Sequence, residues 1–92
     1  MLEDFKNYMI ENKLSENTYK SYMSDVNLYM NYYKDSYGED FEKLNSIDIQ
    51  SYKSYLKNIE NQKPSTINRK LNALKKFNEY LVASNIQCDI VI

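Results

Sequence analysis

An all-α bundle of four helices is the fold this sequence predicts, on three observations. The 92 residues include one Gly and one Pro, too few for a turn-rich strand fold. Apolar residues recur at helical spacing in four successive segments. Three of those segments are preceded by helix-start chemistry, and nowhere do apolar and polar residues alternate with the period of a strand.

Leu2, Phe5 and Met9 define a short first helix over about residues 2–11, broken at Asn12-Lys13. Ser15 is an N-cap for the second, and Glu16 sits in its first turn beside the positive end of the dipole. Leu14 and Tyr19 fit a hydrophobic staple across that cap. Tyr22, Val26, Tyr29, Met30 and Tyr33 carry the apolar stripe to about residue 35, making this the longest helix. Tyr37-Gly38-Glu39-Asp40 reads as a loop. Asn45, with Asp48 three residues on, caps the third helix, and Leu44 with Ile49 repeats the staple. Its stripe is Ile49, Tyr52, Leu56 and Ile59, to about residue 60. The next connection is Asn61-Gln62-Lys63-Pro64, because the residue before Pro avoids helical geometry. Ser65 then caps a fourth helix running to about residue 84. Ile67, Leu71, Leu74, Phe77 and Leu81 form its buried stripe, with Lys70 nearer that flank. Ser65, Arg69, Asn72 and Lys76 fall on the opposite side. Arg69 and Lys76 are therefore expected to be replaceable without disturbing the core. Residues 86–92 have too little pattern to choose between a β-like segment, a packed arm and a disordered end.

Composition narrows the function. The chain suits one domain with a modest core, not an enzyme cleft. Cys88 is the only cysteine and His is absent, so an internal disulfide, a zinc site and nucleophile–His–acid catalysis are all excluded. A lone cysteine fits a reducing, cytoplasmic setting. The single Gly excludes a phosphate-cradling glycine loop, and no apolar run approaches a membrane span or a signal peptide. No metal, cofactor or catalytic residue is expected.

Charge is unevenly spread. Residues 1–48 hold 5 Lys and 10 acids, whereas residues 49–92 hold 7 cations and 3 acids. Between Ile49 and Phe77 all seven of those cations face one acid, Glu60. That asymmetry fits one basic side. The ten tyrosines are read as core packing with hydroxyls at the rim, since nothing nearby would activate a tyrosine nucleophile.

Three stretches, in order, resemble a known family. Leu14-Ser15-Glu16-Asn17-Thr18-Tyr19-Lys20-Ser21-Tyr22 resembles its Leu-Ser-x-x-Thr-x-x-x-Tyr opening of helix two. Leu44-Asn45-Ser46-Ile47-Asp48-Ile49 resembles its entry to helix three. Thr66-Ile67-Asn68-Arg69-Lys70-Leu71-Asn72-Ala73-Leu74-Lys75-Lys76-Phe77 resembles its Thr-Ile-Asn-Arg-x-Leu-x-Ala-Leu-x-x-Phe stretch. The family is the tyrosine recombinases, or phage-type integrases, and the likeness is to their N-terminal core-binding domain over about residues 2–85.

The resemblance implies a SAM-like orthogonal four-helix bundle over residues 1–85, with 86–92 a tail or the start of a linker to a separate catalytic domain. It implies a module that clamps duplex DNA at a recombination site, without cleaving it, in contact with other recombinase protomers. In isolation it is expected to be monomeric and to bind DNA weakly, given its one Arg. Its DNA face would combine Ser15, Asn17, Thr18, Lys20 and Ser21 with Ser65, Thr66, Arg69, Asn72 and Lys76, and Lys70 as a lesser member. Hydroxyls, amides, cations and a helix N-terminus suit phosphates. Arg69 and Asn72 carry groups able to read guanine and adenine edges. Thr18 fits equally a packing role at its helix start, and Ser65 a cap. The alternative reading is a small helical protein–protein interaction domain.

Overall fold

The computed structural model describes residues 1–92. It contains four helices and no strand: α1 Leu2–Glu11, α2 Glu16–Tyr37, α3 Ser46–Asn58 and α4 Pro64–Ala83. No helix is long and apolar enough to cross a membrane.

Local chemistry sets most boundaries where expected. The Ser15 hydroxyl accepts from the Thr18 amide, and the Asn45 Oδ1 accepts from the Asp48 amide at 2.8 Å. Leu44 and Ile49 are both buried, closing the staple beside α3. α1 ends in a Schellman motif: Leu14 N–H reaches Met9 O and Lys13 N–H reaches Ile10 O. This forces Lys13 to φ 63. α2 stops at Gly38, whose φ of 70 glycine adopts without the strain a side chain brings and whose N–H bonds to Lys34 O.

Two expectations are corrected. α4 is capped by Lys63 and starts at Pro64, so Ser65 lies inside the first turn and is not the cap. Proline presets the helical φ and has no N–H to leave unpaired, which makes it the better first residue. Ile59 does not extend the α3 stripe and is 69% exposed. α3 has ended at Asn58, and the chain turns through Asn61 at φ 52.

α2 and α4 form the central packed pair; α1 lies against both, and α3 lies on α4. Aromatic rings tie all four together. Phe5 of α1 meets Phe77 of α4 edge-on at 5.0 Å. Phe77 meets Phe41 of the α2–α3 loop at 5.7 Å, and Phe41 meets Tyr29 of α2 at 6.0 Å. Tyr29 in turn meets Tyr52 of α3 at 5.0 Å. Such pairs add roughly 0.5–1.5 kcal/mol each beyond burial. Tyr29 and Tyr52 are thus core residues, while most other tyrosines are half-buried at the rim.

Residues 86–92 are a packed arm. The buried Gln87 amide accepts from Leu44 N–H at 2.9 Å and donates to Leu44 O at 3.0 Å. The fully buried Asn78 amide donates to Asp89 O at 3.1 Å and accepts from Val91 N–H at 2.9 Å. Two side-chain amides therefore replace a strand partner for the arm's backbone.

Candidate nucleic-acid interface

The start of α2 offers a polar surface whose members are partly committed to each other. Ser15 and Thr18 share a hydroxyl–hydroxyl bond of 2.8 Å, in addition to the cap. Lys20 reaches back one turn to Glu16 at 2.6 Å. That hydrogen bond and its Coulomb attraction hold the Glu16 carboxyl below its ordinary range and push the Lys20 ammonium up. Asn17 is exposed and Ser21 half-buried, and neither has a side-chain partner.

α4 supplies the second polar surface, and Arg69 links it to α2. Its Nη2 donates to Asp25 Oδ1 at 3.1 Å. Asp25 is 4% exposed at its side chain, Arg69 53%, and Asp25 Oδ2 has no hydrogen-bond partner. Arg69 is therefore not a free surface cation: it neutralises a buried carboxylate 44 residues away. The expectation that it is replaceable at no cost to the fold is corrected here. Lys76, only 28% exposed at its side chain, donates to Glu79 at 2.8 Å. That bond outweighs its desolvation and raises its pKa.

Lys70 stands apart from Arg69, Asn72 and Lys76. It is 7% exposed and lines a cleft of about 310 Å³ between α2 and α3, with Tyr32, Tyr52, Tyr55, Glu60 and Gln62. On the helix it sits among Ile67, Ala73, Leu74 and Phe77, all buried. Its aliphatic stem packs in the core and its charge opens toward the cleft. Of the remaining α4 candidates, Ser65 and Asn72 are exposed and Thr66 is half-buried.

Burial of Lys70 rotates the true outer face of α4. Asn68, Asn72 and Lys75 lie at its centre, all exposed, and Lys75 makes no ion pair. Asn68 and Lys75 are not among the residues expected from the sequence. The signal was present, because 68, 72 and 75 follow the i, i+4, i+7 spacing of one helix face. The charges of this helix do not mark that centre, because Arg69 and Lys76 are flank residues. The structure thus packs α2 against α4 and joins them through Arg69–Asp25, while Lys70 lies apart, in the cleft between α2 and α3.

Comparison with known proteins gives three findings. Residues 2–85 match the family described as phage integrase, N-terminal SAM-like domain. The chain is 36% identical over 90 residues to the TnP I resolvase of Bacillus thuringiensis, covering 98% of this chain and 32% of that protein. It is 31% identical over 87 residues to the tyrosine recombinase XerD of Oceanobacillus iheyensis, covering 92% of this chain and 29% of that one. The chain spans about a third of the length of these curated relatives. No solved structure matches.

Proposed function

Because the chain belongs to the phage integrase N-terminal SAM-like domain family, we propose that it is the DNA-binding module of a site-specific tyrosine recombinase. In this reading it clamps the recombination site through the polar surface shared by α2 and α4. A separate domain performs strand exchange, and other recombinase protomers are its protein partners. Binding to DNA implies a cytoplasmic place of action. The names of the relatives, a resolvase and a tyrosine recombinase, support recombination as the process served.

The observation that carries the DNA assignment is the α2–α4 seam. α2 packs against α4 and is bridged to it by Arg69–Asp25; Asn17 of α2 and Asn68, Asn72 and Lys75 of α4 are exposed, and Ser21 of α2 is half-buried. Amides, hydroxyls and cations of this kind contact phosphates and base edges. Three cations of the region, Lys20, Arg69 and Lys76, already hold carboxylates. Phosphate must displace or share those partners, so binding is weak. We expect affinity of about 10⁻⁴ to 10⁻⁶ M, and a slope of log K against log salt of roughly −2 to −5.

An NMR titration with duplex DNA tests the reading. Shifts should concentrate at Asn17, Ser21, Asn68, Asn72 and Lys75. Shifts gathered instead on Glu39 and Asp40 of the α2–α3 loop refute the proposed face. A nicked suicide substrate should yield no covalent adduct, since the chain lacks His and has one Arg.

A further inference from the structure

α3 packs inward through Ile49, Tyr52 and Leu56, all buried. Its outward side has no helix over it: Ile47, Gln50, Ser51, Lys53, Ser54 and Lys57 are all exposed. An open, shallow hollow of about 580 Å³ lies over this side, lined by Ser46, Ile47, Gln50, Ser51 and Ser54.

Two electrostatic facts characterise this side. First, it holds no carboxylate, although the chain has 13 acids against 12 cations. The acids nearest in sequence are drawn to other partners. Asp48 accepts from Tyr37 Oη at 2.9 Å and from Asn45 Nδ2 at 2.6 Å. Glu60 accepts from Tyr55 Oη at 2.5 Å. Second, Lys53 and Lys57, like Lys75 on α4, have no ion pair, whereas Lys20, Lys34, Arg69 and Lys76 each hold a carboxylate. Spaced by four residues, the two free ammonium groups stand one turn apart on one face.

We propose that the outward side of α3 is a second nucleic-acid contact, distinct from the α2–α4 seam, which takes a phosphodiester backbone through Lys53 and Lys57. Gln50, Ser51 and Ser54 supply neutral hydrogen-bond donors beside the charges, the combination that phosphate and sugar oxygens accept. No carboxylate on this side repels a polyanion. Unlike Arg69 or Lys76, these lysines need break no ion pair to bind, so their full charge is available for counterion release.

The test uses the whole chain and a short duplex of mixed sequence, with affinity read by fluorescence anisotropy across a salt series. Two phosphate contacts contribute about 2 to the slope of log K against log salt. Lys53→Ala with Lys57→Ala should therefore flatten the slope by about 2 while melting is unchanged. In the parent, NMR shifts on Gln50, Ser51 and Ser54 should accompany DNA addition. An unchanged slope, or shifts confined to α2 and α4, overturns the proposal. So does polyglutamate shifting the α3 resonances at the same concentrations as DNA, which would make an acidic protein segment the occupant. Asn72→Ala with Lys75→Ala separates the two readings. If that pair has no effect and the α3 pair flattens the slope, the seam assignment fails and this one stands. The reverse pattern rejects this one alone.

Discussion

Arg69→Ala is the change whose outcome turns most directly on this structure. In the folded chain, Arg69 supplies the only hydrogen bond to the Asp25 carboxylate, which is 4% exposed and already has one oxygen without a partner. Removing one member of a fully buried ion pair costs about 3–5 kcal/mol. Here the guanidinium side is 53% exposed, so water screens the pair and lowers that figure. A hydrogen bond to a charged group is worth about 1.5–3 kcal/mol, and the two considerations meet at about 2 kcal/mol. For a domain of this size that corresponds to a fall in Tm of roughly 8–16 °C, followed by circular dichroism. Arg69→Glu should fall further, because it sets a second carboxylate against the first. The companion change Asp25→Asn removes the buried charge, so the double variant Asp25→Asn, Arg69→Ala should recover about half the loss. A melting point for Arg69→Ala within about 2 °C of the parent would refute the reasoning. A double variant no more stable than Arg69→Ala would show that the cost does not come from Asp25.

Three further outcomes follow from the fold. Lys13→Gly should stabilise the chain by about 1 kcal/mol in urea unfolding, because φ 63 disfavours a side chain that makes no bond there; a loss of stability would sink the argument. Gln87→Leu should lower stability by about 2 kcal/mol, since the Leu44 amide and carbonyl lose their partner inside the fold, whereas an unchanged melt would mean the arm is not held as described. Burial pushes the Tyr52 phenol up to about 12, and the buried, unpartnered Tyr29 phenol well above its ordinary range. A raised phenol pKa favours the neutral folded form, so that stability is intact below about pH 10 and is lost as pH rises through about 12. Unfolding and phenolate absorbance should appear together in that window, and Tyr52→Phe should move unfolding to higher pH. Phenolate formation by both residues in the still-folded protein would contradict their burial.

The helices were legible in the sequence because their causes are local. Ser15 and Asn45 cap through bonds spanning three residues, and the stripes of α1, α2 and α3 need only helical periodicity. The ordered motifs around Leu14, Leu44 and Thr66 pointed to the family that the comparisons show. Pro64 outranking Ser65 at the start of α4 was also within reach, since proline's preference for the first turn is a property of the residue itself. Other features were decided only by the tertiary structure. Lys70 is charged, yet α4 lies in the middle of the bundle and needs a wide buried arc, so its stem packs inside and the outer face turns toward Asn68 and Lys75. Arg69 and Asp25 are 44 residues apart, and Gln87 and Leu44 are 43 apart. No periodicity links positions so distant. Their partnerships exist because a buried carboxylate or peptide group must find a partner once water is excluded, and only the packed helices determine which group stands within reach.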